Sequence, residues 1–155
     1  FGLEVVAAHT FKLPADIRLG LRAAYTLTKS AFQAGFASEN PQFGLVEVGD
    51  ELPYVPEHQL SFQLALVGRK WGVALNLAYV DAMRETAGQG EADEAELTDP
   101  FVMLDMTARY RPLKWLELYL KGENLLMSAP IVSRRPFGAR PGKPLLISGG
   151  VKATW

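Results

Sequence analysis

Ile17-Arg18-Leu19-Gly20-Leu21-Arg22-Ala23-Ala24-Tyr25-Thr26-Leu27-Thr28 carries an apolar side chain at every second position. Ile17, Leu19, Leu21, Ala23, Tyr25 and Leu27 share one face of an extended chain, and Arg18, Gly20, Arg22, Ala24, Thr26 and Thr28 share the other. A period of two predicts a strand, because successive strand side chains point to opposite faces, whereas a helix needs a period near 3.6. The same alternation recurs over residues 60–67, 71–79, 102–111, 116–121 and 145–155. Residues 2–11 form a less regular opening strand, since Val5 and Val6 are both apolar and His9 interrupts one face. The pattern predicts seven strands and no helix: an all-β, antiparallel up-and-down sheet.

In the six regular strands the apolar face has 29 positions and no charge, while the opposite face has 27 positions and eight charges: Arg18, Arg22, Asp105, Arg109, Arg111, Glu117, Lys121 and Lys152. Alternation alone leaves the outward face open. A soluble sandwich or small barrel buries its apolar face, and a membrane barrel turns that face to lipid. Three features favour lipid. Several segments run 9 to 12 residues, long for soluble strands and close to what a tilted transmembrane strand requires. Short connections near 12–16, 68–70 and 112–114 alternate with long ones near 29–57, 84–100 and 125–143, as in barrels with short turns at one rim and long loops at the other. Trp71, Tyr110 and Trp155 fall at the short-turn rim and Tyr25 and Tyr79 near the long-loop rim, where interfacial aromatics belong.

Composition excludes much else. The 155 residues carry 16 Lys and Arg against 17 Asp and Glu, a net charge of −1, which lacks the cationic field of a nucleic-acid binder. With no cysteine there is no disulfide, thiolate nucleophile or zinc knuckle. Arg69 and Lys70 interrupt the longest apolar stretch, so no helix of membrane-spanning length is predicted, which leaves the strand route open. His9 and His58 lie far apart in sequence without a second ligand at metal spacing, and no phosphate loop, nucleophile elbow or paired-carboxylate motif appears. Asp105 and Glu117 share the polar face with Arg and Lys and read as salt-bridge partners. No catalytic residue, no metal ligand and no cofactor is predicted in this segment. The expectation is not an enzyme.

Three ordered stretches carry a resemblance. Leu52-Pro53-Tyr54-Val55-Pro56-Glu57-His58-Gln59-Leu60 leads into a strand, and Glu123-Asn124-Leu125-Leu126 ends another. Arg134-Arg135-Pro136-Phe137-Gly138-Ala139-Arg140-Pro141-Gly142-Lys143-Pro144 leads into the last. With Tyr25-Thr26, Gly49-Asp50 and Gly2-Leu3-Glu4, this set resembles the C-terminal part of the β-barrel of TonB-dependent outer-membrane receptors, in particular the ferric-citrate and siderophore type. The chain departs from that pattern after Asn124-Leu125: Leu126, Met127 and Pro130 stand where the family usually continues with Phe, Asp and a later Tyr.

The resemblance implies that residues 1–155 are the C-terminal portion of a barrel of about 22 strands, with an N-terminal plug domain and the earlier strands lying outside them. The start at Phe1 is read the same way, as a fragment or processed product. The implied function is active import of an iron(III) chelate, ferric citrate or a siderophore, energised through TonB in the bacterial outer membrane. This segment would supply barrel wall and extracellular loops. Arg18, Arg22, Asp105, Arg109, Arg111, Glu117 and Lys121 would then line the lumen, meeting plug or water, and Arg134, Arg135 and Arg140 would help attract an anionic chelate. A solvated loop, or contact with lipopolysaccharide phosphates, is the plainer reading of those loop arginines. The acidic loop from Arg84 to Pro100 would be solvated. Implied partners are outer-membrane lipid and lipopolysaccharide, the plug, TonB, and the barrel assembly machinery through the terminal strand ending in Trp155. Two other functions fit the alternation: a soluble up-and-down β-barrel binding an apolar ligand, and a porin-like passive channel.

Overall fold

A computed structural model of the chain describes residues 1–135 and 137–154. Seven strands form one antiparallel sheet: β1 (Gly2–Leu13), β2 (Ile17–Thr28), β5 (His58–Val67), β6 (Trp71–Val80), β7 (Phe101–Leu113), β8 (Leu116–Glu123) and β11 (Leu146–Ala153). They pair strictly in chain order. The long connections hold two small ribbons, β3 (Phe36–Ala37) with β4 (Leu45–Val46) and β9 (Ile131–Ser133) with β10 (Arg140–Pro141), and a 3-10 turn at Glu94–Glu96. The up-and-down sheet read from the alternation is the one observed, and it is not closed: among the described residues β1 and β11 are its edges.

Register keeps the two faces apart across all seven strands. Val5, Tyr25, Leu60, Tyr79 and Val102 form one transverse row, and Leu21, Leu64, Leu75 and Met106 another nearer the short turns. Trp71, Tyr110, Leu118 and Val151 form a third. A slip of one residue would carry each strand's apolar set to the other face. Little of this surface is covered. Leu3, Val5, Leu60, Phe62, Leu118, Leu120, Ile147 and Val151 are all exposed, and the one fully buried hydrophobic residue among those described is Val46, in the loops rather than the sheet. Each such side chain gains about 1.5–3 kcal/mol on leaving water, so eight left in water would forgo about as much as a whole domain's net stability of about 5–15 kcal/mol.

The short turns are built differently from one another. Pro14-Ala15-Asp16 closes β1 onto β2, with Ala15 and Asp16 both left-handed at φ 61° and 57°. That conformation crowds a Cβ, by about 1–2 kcal/mol per residue. Ala15→Gly is therefore expected to stabilise the fold by up to about 1 kcal/mol, read as a higher unfolding midpoint in denaturant. Arg69-Lys70 turns β5 into β6, closed by the Gly68 N–H donating to the Trp71 carbonyl (2.9 Å). The Trp71 indole lies over Gly68, where an added Cβ would stand 2.6 Å from it. Lys114-Trp115 turns β7 into β8, and an extra residue enters β7 between Tyr110 and Leu113. Pro112 sits in that irregularity, where a residue without an N–H costs no ladder bond.

Candidate site at the polar wall and the long-loop layer

Arg18, Arg22, Asp105, Arg109, Arg111, Glu117 and Lys121 all lie on the polar side of the sheet, as alternation places them. They divide into two sets. Towards β8 the charges are paired: Lys143 Nζ reaches Asp105 Oδ2 (3.0 Å) and Glu123 Oε1 (3.1 Å), Lys121 Nζ reaches Glu123 Oε2 (2.9 Å), and Arg111 pairs with Glu117. Towards β2, Arg18 and Arg22 have no carboxylate partner among the described residues, and Arg109 lies against Gly72. Between them Gln63 Nε2 donates to Asn76 Oδ1 (2.9 Å), directly across from Asp105. A wall with its own charges satisfied at one side and spare cations at the other suits an anionic or hydrated neighbour.

Lys143 lies outside the strands, in the last long loop. Its hydrogen bond to Asp105, and then that to Glu123, raise its pKa above the ordinary lysine value against the opposing pull of partial burial. A raised amine stabilises wherever the pH is below its unfolded value, and the contribution disappears as pH climbs through the higher folded one. The lysine's contribution to anchoring the loop is thus expected to hold through neutral pH and to be lost above the ordinary lysine range. Proteolysis of residues 124–145 against pH tests this, and Lys143→Met should remove the dependence.

The long loops are not independent. Residues 29–57 meet 81–100 through the Glu51 N–H on the Gly88 carbonyl (2.9 Å), the Tyr54 N–H on the Arg84 carbonyl (2.9 Å) and Arg84 Nε on Glu51 Oε2 (3.1 Å). Tyr54, itself left-handed at φ 58°, spans to the third loop, its hydroxyl within 3.3 Å of Ser133 Oγ and accepting from the Arg135 N–H (3.2 Å). Asp99 takes the Ile131 N–H on Oδ2 (2.7 Å) while its own N–H donates to the Ile131 carbonyl (3.0 Å). Asn124, fully buried with φ 52°, anchors the third loop: Nδ2 donates to the Ser128 and Lys143 carbonyls (2.8 Å each), and Oδ1 accepts from the Ser128 N–H (3.0 Å). The departure from the family pattern just after Asn124 leaves this anchor complete.

The three loop arginines separate here. Arg134 Nη1 lies 3.5 Å from Glu85 Oε1, and Nη2 lies 3.6 Å from Asp99 Oδ1; Nη1 also donates to the Leu97 carbonyl. Glu85 is 1% exposed. The acidic loop, expected to be solvated, is therefore docked in part on the basic one, because a buried carboxylate needs a paired cation. Arg140 donates to the Arg135 carbonyl (3.1 Å), and neither Arg135 nor Arg140 has an ion-pair partner among the described residues. These two flank the tip of the β9–β10 ribbon.

At the rims, Trp71 stands opposite Tyr110, while Tyr25 and Tyr79 share a row with Leu60 between them. The Tyr25 hydroxyl bonds His58 Nδ1 (2.8 Å), and the Tyr79 hydroxyl bonds Asp81 Oδ1 (3.0 Å). Trp155 lies outside the described residues. Trp71 and Tyr79 are eight residues apart on β6, roughly 26 Å of strand, which projects to about 20 Å of membrane height at the usual tilt. Among the described residues no group of acidic and histidine side chains forms a metal site.

The family model described as TonB dependent receptor-like, beta-barrel, matches residues 1–125. The chain belongs to this family. TonB-dependent receptor barrels lie in the bacterial outer membrane and are a family of transport receptors, not of enzymes. In structure the chain is similar to Fiu, the ferric-catecholate import receptor of E. coli K12. Its closed form (P1) matches at TM-score 0.59 and 14% identity, over 98% of this chain and 27% of that one. Its open form (C2221) matches at 0.59 and 16%, over 98% and 28%. The chain thus spans little more than a quarter of that receptor's length, and at such identity the likeness is one of fold. No curated protein matches the sequence.

Proposed function

We propose that residues 1–155 are the C-terminal portion of a TonB-dependent receptor barrel that imports an iron(III) chelate, ferric citrate or a siderophore, in TonB-driven steps. The observation that carries this reading is the in-register, uncharged face of seven strands with no apolar core behind it among the described residues. Hydrocarbon satisfies that face, and the two free edges require further strands, since an unpaired backbone group in lipid costs several kcal/mol. The opposite wall then lines a lumen, where Arg18, Arg22 and Arg109 meet the carboxylates or backbone carbonyls of a plug, or water. The long-loop layer is the extracellular end, and Arg135 and Arg140 are its free cations for an anionic chelate or a lipopolysaccharide phosphate. Aromatic rows at Tyr25 and Tyr79 and at Trp71 and Tyr110 mark the two interfaces, and β11 is the strand that the assembly machinery engages.

The test is uptake of radiolabelled iron by iron-starved cells, with the gene intact, deleted, or intact in a strain without TonB function. Loss of uptake of one ferric chelate in both altered strains is expected, with citrate and catecholate complexes offered separately. Unchanged uptake of every chelate after deletion contradicts the proposal. Uptake that persists without TonB function favours the porin-like channel.

A further inference from the structure

The short-turn end holds a charge imbalance, and several of its cations have no part in the import reading. Lys12, Arg18, Arg69, Lys70, Arg109, Arg111, Lys114 and Lys152 lie there, eight of the chain's sixteen cations, with Asp16 and Glu117 as the acids, two of its seventeen. The concentration is sharpest between two neighbouring turns. The β5–β6 and β7–β8 turns stand side by side, joined by the Arg111 N–H on the Lys70 carbonyl (2.6 Å) and Lys70 Nζ on the Pro112 carbonyl (3.4 Å). A cleft of about 790 Å³ opens between them, lined by Arg69, Lys70, Arg111, Pro112, Leu113 and Lys114. Glu117 neutralises Arg111, and among the described residues Arg69, Lys70 and Lys114 have no ion-pair partner.

Exposed apolar groups border the same cleft. Leu113 lies in its wall, and Trp71, Tyr110 and Trp115, the chain neighbours of Lys70, Arg111 and Lys114, are each more than a third exposed. Trp71 and Tyr110 continue directly into the uncharged face through Leu118 and Val151. An occupant matching this arrangement carries an anion at the rim and a hydrocarbon chain along the strands. We infer that the cleft between these two turns binds the phosphate of an anionic phospholipid of the inner leaflet, with its acyl chains on the Trp71–Tyr110 row. Three cations without carboxylates favour a headgroup of net negative charge, such as phosphatidylglycerol, because the amine of a zwitterionic headgroup would meet them as a like charge.

The inference rests on the membrane reading of the sheet but fails separately from it. The full-length receptor in mild detergent is titrated with phosphatidylglycerol and with phosphatidylcholine of the same chains, and bound lipid is counted by native mass spectrometry. Phosphatidylglycerol is expected to bind at least about tenfold more tightly, and to lose that margin in the R69Q/K70Q/K114Q variant and regain it in R69K/K70R/K114R. On the native protein its binding should weaken as salt shortens the reach of the charges. Equal binding of both lipids, insensitivity to salt, or an unchanged preference in the glutamine variant overturns the inference while leaving the import proposal standing. Displacement by millimolar inorganic phosphate alone also overturns it, since the site would then hold free phosphate. Should the glutamine variant not fold, judged by heat-modifiable migration, the salt titration and the lipid comparison on the native protein decide.

Discussion

Asn124→Leu is expected to release the third long loop from the end of β8. Leucine of similar size keeps the volume but removes a donor pair and an acceptor from a fully buried position, leaving the Ser128 and Lys143 carbonyls and the Ser128 N–H without partners. An orphaned polar group costs about 1–3 kcal/mol when fully buried and less here, where Ser128 is half-buried and Lys143 exposed, while the left-handed backbone at φ 52° adds about 1–2 kcal/mol for a residue other than Gly or Asn. A penalty of about 3 kcal/mol in total exceeds what a surface loop can absorb, so residues 124–145 should become protease-sensitive while the strands remain paired. Asn124→Gly separates the two causes. It relieves the backbone and still lacks the side-chain bonds, so it should fall between leucine and the native residue. Equal protease resistance in all three would show that Asn124 is not the anchor.

Arg134→Ala is expected to be the second large effect, and to differ in kind from Arg135→Ala and Arg140→Ala. Removing Arg134 leaves Glu85 buried without its cation, and breaking such a pair costs about 3–5 kcal/mol when both partners are buried. Arg134 is about a third exposed, so solvent screening lowers the figure to roughly 2 kcal/mol. The acidic and basic loops should then separate, with faster hydrogen exchange at the Ile131 and Asp99 amides, whose mutual bonds close the junction. Glu85→Gln with Arg134→Ala should recover part of the loss, since no buried charge remains. Arg135→Ala and Arg140→Ala should leave exchange unchanged and act, if at all, on chelate uptake. Identical exchange profiles for the three alanine variants would contradict this division.

The strands were legible because alternation is local. Residues 17–28 read directly as the strand observed, and 60–67 missed its start by two residues only because Gln59 and His58 continue the ladder without continuing the apolar pattern. The β7 irregularity had one local signal, Pro112. The loop layer was not legible, because its contacts join residues far apart in sequence: Tyr54 with Arg135, Glu85 with Arg134. A carboxylate amid five other acids in a polar loop reads as solvated, and nothing near it in sequence shows that Arg134 arrives to bury it. Charge sign gave the one available clue, an acidic loop and a basic loop at the same rim. For the same reason Arg134, Arg135 and Arg140 read as one group, and folding divides them.

The membrane account is tested most directly by spin labels placed singly at residues 60 to 66 of the full-length receptor in a lipid bilayer. Collision rates with dissolved oxygen and with a water-soluble nickel chelate are then measured at each. Labels at 60, 62, 64 and 66 should be oxygen-accessible and shielded from nickel, and labels at 61, 63 and 65 should show the reverse or be shielded from both. Oxygen accessibility at 61, 63 and 65 instead, or no alternation along the strand, would contradict the claim that this face meets hydrocarbon.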